Sequence, residues 1–323
     1  MKVVILGSGQ MLTNLIAGCM DTGCSIAGVF RYETVRFPFL DRVLIDIFNP
    51  SKEYNYIKSH KLQDIKAKSA NSAEFKKEML KLNPDLIIVG TWGEKIKKPI
   101  FTLPKLATIN VHPALLPKYR GPNPYYQAIK NMETQSGVTF HLMEEDFDSG
   151  PILSQKTVDI VSTDTGVELR NKITLVAREG VCELIKTLDK EIIIPVKQDE
   201  QKASYFPQIS KEDVMLDFTK SAAEVSAHIR GLHPWSKCYY EYKNKFFIPN
   251  PYKLKIIEAN DLKRVELPEH IHSGTAVEKS GKERSITVLC GDGKLLKMDE
   301  VRLYGPLRSL TGFYIDHFVE LNS

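Results

Sequence analysis

The 323-residue sequence contains few cysteines, and their spacing follows no pattern. The five cysteines are an odd number without any Cys-x-x-Cys pair: Cys19, Cys24, Cys182, Cys238 and Cys290. Disulfide frameworks and structural zinc sites both depend on cysteines that recur in pairs at short spacings. The sequence therefore predicts neither a disulfide framework nor a metal site.

Long apolar runs and a secretion signal are absent as well. The opening MKVVILGSG has a short apolar run that predicts a β-strand rather than the core of a signal peptide. No segment approaches the roughly 18 apolar residues that a membrane span needs. The net charge is only +4, which permits a polyanionic partner without arguing for one. We expect a cytoplasmic protein with no membrane partner, and no obligate protein partner is evident.

The first half of the chain alternates between β-rich and helical patterns. Residues 2–6 are β-rich and run into Gly7-Ser8-Gly9, after which apolar residues recur at helical spacing. Further β-rich runs lie at 25–30, 85–90, 107–112 and 136–143, and further helical patterns lie at 74–82 and 165–188. This order predicts an α/β fold with a Rossmann-like open parallel sheet.

The pattern changes after the long second helical segment. Residues 191–209 carry two prolines and mixed charge and predict a linker. A helix capped by Ser221 follows, and then come short β-rich runs, with Asp292-Gly293 predicting a hairpin between two of them. We therefore predict a Rossmann-like domain at 1–190, a linker at 191–209, and a smaller, mostly β domain at 210–323.

Three polar side chains near predicted strand ends suit acyl transfer to an amine. Asn110 and His112 are two residues apart on a strand, so their side chains point to the same face. Asp148 lies in an Asp-Ser-Gly turn after a later strand, and such a turn can bring the carboxylate beside the imidazole. The imidazole can take a proton from the amine, the carboxylate can favour the charged imidazole, and the amide can donate to an oxyanion.

These residues resemble the signature of folate-dependent formyltransferases. Asn110 and His112 are followed by Leu-Leu-Pro-x-x-Arg-Gly at 115–121 and then by Asp148-x-Gly150. Residues 210–235 resemble the junction and C-terminal domain of methionyl-tRNA formyltransferases, so the likeness covers nearly the whole chain. The resemblance implies an N-formyltransferase with a Rossmann-like N-terminal domain, an OB-like C-terminal barrel, and Asn110, His112 and Asp148 as the catalytic trio.

The resemblance also implies 10-formyltetrahydrofolate as the formyl donor, with no metal. Its pterin would lie against backbone groups of the loops 91–96 and 143–148, which can match the donors and acceptors of the pterin edge. The expected cofactor-binding residues are Trp92, Gly93, Ile96, Leu116, Pro117, Arg120, Gly121, Met143, Glu145 and Phe147. Glu94 and Lys95 stand where the family usually has apolar residues.

Two acceptor amines fit this resemblance. Whole-chain likeness favours the methionyl amine of initiator methionyl-tRNA. Residues 31–42 hold three arginines but lack the basic, glycine-containing run that enters tRNA in that family, and we expect Arg36 and Arg42 to affect a tRNA acceptor only. The alternative acceptor is the amino group of a nucleotide-linked amino sugar. The aromatic residues expected to stack on such a sugar nucleotide are Tyr125, Tyr126 and Trp92.

An NADP-dependent oxidoreductase is the alternative from another class. Gly7-x-Gly9 follows the first strand, but Leu12 stands at the third glycine of the G-x-G-x-x-G fingerprint. Phe30 and Arg31 end the second strand without an acidic residue, and Arg31 could suit a 2′-phosphate. A non-catalytic protein that binds tRNA or another partner is a third interpretation, and the intact trio argues against it.

Overall fold

A computed structural model describes residues 1–32, 46, 50–190, 192–210, 212–242, 245–258, 276–280 and 285–304. The chain divides into two compact units whose segments interleave along the sequence. The first unit comprises residues 1–124, 135–159 and 170–206, and the second comprises 125–134, 160–169 and 207–323. Residues 192–206 of the predicted linker thus group with the first unit.

The first unit is built on a six-stranded sheet. Its strands are β1 (Lys2–Gly7), β2 (Ser25–Arg31), β3 (Leu86–Gly90), β4 (Ala107–His112), β5 (Gln135–Leu142) and β6 (Ile152–Asp159). They lie in the order β2-β1-β3-β4-β5-β6, with β1 to β4 parallel and both β5 and β6 antiparallel to the preceding strand. The predicted Rossmann-like α/β class is confirmed, but the sheet is mixed rather than wholly parallel.

Burial explains which strands the sequence revealed. All residues of β3, and all of β1 except Lys2, are buried, as expected for central strands with both faces covered. β6 was not predicted. It lies at the edge of the sheet, where half-buried and exposed residues alternate, so it lacks the apolar run that marks the central strands.

Seven α-helices are described. They are α1 (Gly9–Asp21), α2 (Lys52–Ser59), α3 (Ala73–Leu82), α4 (Lys98–Phe101), α5 (Pro124–Lys130), α6 (Gly166–Leu188) and α7 (Ala222–Leu232). The helical patterns after Gly9, at 74–82 and at 165–188 correspond to α1, α3 and α6. In the described part of the chain, no helix has the length and apolar character needed to cross a membrane.

The second unit contains two antiparallel sheets. Its strands are β7 (Tyr240–Tyr242), β8 (Lys245–Ile248), β9 (Leu254–Ile257), β10 (Ala276–Ser280), β11 (Ser285–Leu289), β12 (Leu295–Met298) and β13 (Arg302–Tyr304). One sheet has the order β10-β11-β12-β9 and the other β13-β8-β7. This confirms a C-terminal domain of antiparallel sheets.

Two local predictions in the second unit are confirmed. Ser221 caps α7 in a reciprocal capping box with Glu224, which satisfies backbone N–H groups that the first helical turn leaves open. The turn at Asp292-Gly293 joins β11 and β12: the N–H of Cys290 donates to the carbonyl oxygen of Lys294 at 2.9 Å, and Gly293 has a φ of 75°. Glycine adopts this left-handed conformation without a steric penalty.

Candidate active site

His112, at the end of β4, is held by acceptors on both ring nitrogens. Its Nδ1 lies 3.3 Å from Oδ1 of Asp148, and its Nε2 lies 2.8 Å from the carbonyl oxygen of Tyr119. A carbonyl oxygen and a carboxylate can only accept, so this geometry favours a hydrogen on both nitrogens, which is the imidazolium. Burial lowers the pKa of His112, but the Asp148 carboxylate, helped by the Tyr119 carbonyl, outweighs it and raises the pKa.

Asp148 is the carboxylate at which the site converges. Its Oδ1 accepts a hydrogen bond from the amide Nδ2 of Asn110 at 3.2 Å, and its Oδ2 accepts the backbone N–H of Gly121 at 2.9 Å. Burial raises the pKa of this carboxyl, but the charge of His112, its hydrogen bond to the carboxylate and the N–H of Gly121 together lower the pKa. The carboxylate therefore stays ionised, and its charge is matched by that of His112.

The loop between β5 and β6 brings Asp148 to this position. β5 runs antiparallel to β4, with His141 opposite Asn110, so β5 leads away from the end of β4 where His112 lies. The chain turns back through Asp148, which has a φ of 56°, and through Gly150. A Cβ on Gly150 would lie 1.8 Å from the carbonyl oxygen of Leu142, so only glycine allows this close approach.

His141 is a buried site residue that the sequence analysis did not single out. Its Nδ1 lies 2.9 Å from the carbonyl oxygen of Leu142 and so carries the hydrogen, while its Nε2 accepts an N–H of Asn110 at 3.0 Å. Burial lowers the pKa of His141 to about 4; the His112 charge adds to this effect, and the Asp148 charge opposes it. His141 is therefore neutral at pH 7. Only the register that pairs it with Asn110 could have identified it.

Comparison with known proteins identifies the family. A model described as "Formyl transferase" matches residues 1–185, and one described as "Formyl transferase, C-terminal domain" matches residues 208–306. The chain belongs to the formyltransferase family. A methionyl-tRNA formyltransferase of Caldanaerobacter subterraneus subsp. tengcongensis is 35% identical over 91% of this chain and 90% of that protein. The sequence-based resemblance is thereby confirmed.

Two solved structures share the fold of this formyltransferase. The N-formyltransferase from Helicobacter canadensis, solved with folinic acid and dTDP-3-aminofucose, has a TM-score of 0.65 at 18% identity and covers 94% of this chain and 100% of that one. The methionyl-tRNA formyltransferase from Clostridium thermocellum has a TM-score of 0.54 at 15% identity, covering 94% and 99%. At these identities the likeness is one of fold alone.

The first group of predicted cofactor-binding residues lies around Trp92. The ring of Trp92 packs against Phe30 and Tyr32, and its indole N–H is buried without a hydrogen-bond partner among the described residues. Ile96 is buried in the core of the first unit, and Met143 packs against the same cluster. The Trp92 N–H is thus a donor that a bound molecule could satisfy. Gly93 is exposed, and so are Glu145 and Phe147.

The second group lies on the loop after β4. Leu116 is buried and precedes Pro117 through a cis peptide bond. The guanidinium of Arg120 is already bound by Gln198 and Glu200, and Gly121 donates its N–H to Asp148. In this formyltransferase, Gly121 contacts the Asp148 carboxylate directly. Arg120 contacts Gln198, whose amide binds the main-chain carbonyl oxygen of Asp148.

Arg31 of the formyltransferase cannot serve the NADP alternative. It is only 1% exposed, and it donates to both carboxylate oxygens of Asp46, at 3.1 and 2.8 Å, and to those of Asp64, at 3.4 and 3.0 Å. Two carboxylates already neutralise the guanidinium and would repel a phosphate. The suggestion that Arg31 suits a 2′-phosphate was wrong because Asp46 and Asp64 occupy it. Among the described residues, no group of three or more His, Cys, Asp or Glu side chains is placed to hold a metal ion.

Proposed function

We propose that this formyltransferase moves the formyl group of 10-formyltetrahydrofolate to the amine of initiator methionyl-tRNA. The observation that carries the proposal is the ionised Asp148 carboxylate, which contacts His112, Asn110 and the N–H of Gly121 at once. Sequence likeness to a methionyl-tRNA formyltransferase over nine-tenths of both chains supports the choice of acceptor.

The charge of His112 stabilises the oxyanion that forms when the amine attacks the formyl carbon. His112 is 4% exposed, and a charge acts more strongly in a buried site than in water. Because Asp148 and the Tyr119 carbonyl already bind its two ring nitrogens, the resting imidazolium cannot take a proton from the attacking amine and acts first through its positive charge. The initial proposal that His112 first removes a proton from the amine is replaced by this role.

Asn110 supplies an N–H to the same oxyanion. Its two N–H groups donate to His141 and to Asp148. The neutral Nε2 of His141 is the weaker of these two acceptors, because hydrogen bonds to a carboxylate are charge-assisted. The oxyanion therefore replaces His141 as acceptor, and the bond to Asp148 keeps the Asn110 amide in place.

The proton balance follows from these roles. An α-amino group has a pKa of about 7.7–8.0, so part of the methionyl amine is unprotonated near neutral pH and attacks without a strong base. A bond forms from its nitrogen to the formyl carbon, and the bond from that carbon to the folate nitrogen breaks. His112 gives its proton to the leaving folate nitrogen and takes the proton that the new amide loses, so the imidazolium is restored.

Ring packing disfavours the sugar-nucleotide alternative. Tyr126 is 1% exposed, and its hydroxyl oxygen lies 3.0 Å from Nδ1 of His228. Tyr125 stacks on Trp235 with 5.5 Å between ring centroids. The third ring expected to stack on a sugar nucleotide, that of Trp92, also packs within the protein, as described above. Arg36 and Arg42, which are expected to affect tRNA, lie outside the described residues, and their role stays a prediction.

The experiment supplies 10-formyltetrahydrofolate and compares two acceptors, initiator methionyl-tRNA and a dTDP-linked amino sugar. We expect kcat/KM to be at least about a hundredfold higher for the tRNA, since an acceptor that leaves the site's polar groups unpaired is rejected on that scale or more. The control is His112→Ala, which should lose activity with either acceptor. Equal or faster formylation of the sugar nucleotide contradicts the proposed acceptor, and formylation of neither acceptor contradicts the proposed activity.

A further inference from the structure

Residues 196–206, called here the 196–206 segment, contact the loops that hold His112. At its beginning, Val196 and Ile152 exchange two backbone hydrogen bonds at 2.7 and 2.8 Å, which extends the edge of the sheet. Near its end, Arg120 and Tyr205 form a parallel β-bridge. The segment was expected to be a linker, yet both of its ends pair with the backbone of the first unit.

Gln198 lies between these two anchor points and is buried, with 4% of its surface exposed. Its Nε2 donates to the carbonyl oxygens of Asp148 and Gly150, each at 2.8 Å. Its Oε1 accepts from Nε and Nη2 of Arg120 at 3.2 and 2.8 Å. The side chain of Gln198 thus uses both of its donor hydrogens and both of its acceptor positions.

The same segment also holds the loop that carries Tyr119. The N–H of Tyr119 donates to Oγ of Ser204 at 2.9 Å, and the N–H of Arg120 donates to the carbonyl oxygen of Ser204 at 2.9 Å. The N–H of Phe206 returns a bond to the carbonyl oxygen of Arg120 at 3.0 Å. The Tyr119 carbonyl faces Nε2 of His112, so both loops that hold His112 are bound by one segment.

We propose that Gln198 is a positioning residue for formyl transfer, because it joins the main chain around Asp148 to the side chain of Arg120. Gln198 acts through Asp148: it holds the left-handed turn in which the carboxylate reaches His112, Asn110 and the N–H of Gly121 together. The inference rests on the proposed function for its kinetic readout only.

The role of Gln198 can be separated from the stability of the fold. When its side chain is removed, the Val196–Ile152 pairing and the bonds made by Ser204 and Phe206 remain, because all of them involve other residues. The bonds that are lost are those to the carbonyl oxygens of residues 148 and 150 and to the guanidinium of Arg120. A displacement of about 1 Å at a reacting group can lower a rate on the order of a hundredfold.

Two variants of the full chain test the proposal. Gln198→Met has a similar length but neither donates nor accepts a strong hydrogen bond, and Gln198→Glu keeps an acceptor for Arg120 but loses the donors to residues 148 and 150. The matched control is Gln201→Met, an exposed position on the same segment. We measure kcat, KM for both substrates, and the pH titration of the His112 ring nitrogens by NMR.

We expect both Gln198 variants to lower kcat about a hundredfold while KM for methionyl-tRNA changes less than about threefold. The His112 ring should also lose its proton at a lower pH in these variants, because a displaced Asp148 no longer stabilises the imidazolium. Gln201→Met should match the wild type in every measurement. If Gln198→Met does not fold, as judged by circular dichroism, Gln198→Glu decides by the same readouts.

A folded Gln198 variant with the wild-type kcat and the wild-type His112 titration overturns the positioning role. The NMR titration needs no acceptor and no formyl donor. A wild-type protein that formylates neither acceptor therefore refutes the proposed function, while the His112 titration of the Gln198 variants still decides whether Gln198 positions Asp148.

Discussion

At the scale of single residues, the carboxylate of Asp148 raises the pKa of two neighbouring histidines. Burial opposes this effect at both residues and outweighs it only at His141. His112, 3.3 Å away, has a raised pKa, whereas His141, 3.9 Å away and bound to Asn110, has a pKa lowered to about 4. One imidazole is therefore charged and the other neutral, which in the proposed mechanism separates the cation that stabilises the oxyanion from the acceptor that orients the amide.

The first prediction concerns Asp148→Asn. Loss of the negative charge removes the main reason for the raised pKa of His112, so the imidazolium gives up its proton at a lower pH. We expect kcat to fall by about a hundredfold or more, and its decline on the alkaline side of the pH profile to begin at a lower pH. The measurement is kcat against pH for wild type and variant, and coincident alkaline limbs would contradict the assignment.

Glu94, one of the two residues of the predicted folate loop that are not apolar as expected, binds a neighbouring turn. Its Oε2 accepts the backbone N–H of Ala70 and its Oε1 accepts Nδ2 of Asn71, each at 2.9 Å, while Oγ of Ser69 also donates to Oε1. Asn71 in turn accepts the N–H of Lys97 at 2.8 Å. The side chain of Glu94 thus joins the 69–71 turn to the predicted folate loop.

At the scale of elements, the loop after β4 depends on close backbone contacts. Gly121 has a φ of 109°, and a Cβ at this position would lie 2.1 Å from the carbonyl oxygen of Phe206. The N–H of Gly121 donates to Asp148, so a displacement of this loop also moves the carboxylate. The stability of the loop and the geometry of the site are therefore coupled at Gly121.

Gly121→Ala is expected to lower both stability and turnover. Strain in the left-handed region costs on the order of 1–3 kcal/mol, and the contact with Phe206 adds to it. The control is Gly23→Ala, where φ is 73° but no atom lies within 4 Å of the added Cβ. Urea unfolding and kcat are measured for both variants. Equal losses in the two variants would show that the Phe206 contact does not matter.

At the scale of the whole molecule, buried neutral histidines make stability depend on pH. Burial is the largest cause that lowers the pKa of both His141 and His228 to about 4. In an unfolded chain a histidine has a pKa of about 6.5. As the pH falls from about 6.5 towards 4, the unfolded state binds protons that the folded state does not, so the free energy of unfolding decreases.

The corresponding prediction uses His228→Gln. Between pH 6.5 and 4, each such histidine makes the free energy of unfolding fall by up to about 1.4 kcal/mol per pH unit. The variant should lose the part of this slope that His228 contributes. His60→Gln, at an exposed position, is the control for a histidine substitution at the surface. Urea unfolding at a series of pH values gives these slopes. A wild-type slope in the His228 variant would contradict this account of acid sensitivity.

The raised pKa of His112 makes the free energy of unfolding depend on pH in the opposite direction. Its stabilising effect is fully present below the unfolded pKa of about 6.5 and is lost as the pH rises through its folded pKa. The lowered pKa of Asp148 contributes above about 3.9 and is lost as the pH falls through its folded pKa. The interaction between His112 and Asp148 therefore stabilises the folded state most between about pH 3.9 and pH 6.5.

Local sequence patterns determined most secondary-structure elements of this protein. The apolar runs of β1 and β3, the capping box at Ser221 and the turn at Asp292-Gly293 follow from the conformation and burial that short segments prefer. The motif that contains Asn110, His112 and Asp148 was also apparent from residue types and spacing. These features depend on neighbours along the chain, which is the information that a single sequence displays directly.

Only the tertiary structure decided which distant residues meet. The antiparallel direction of β5 brings His141 opposite Asn110, and the folding back of residues 196–206 places Gln198 against Asp148, 50 residues away along the chain. Strand pairing and buried side-chain hydrogen bonds depend on the packing of segments that are remote in sequence. The sequence alone identified the groups proposed to react, whereas the tertiary structure determined the contacts that set their charge and orientation.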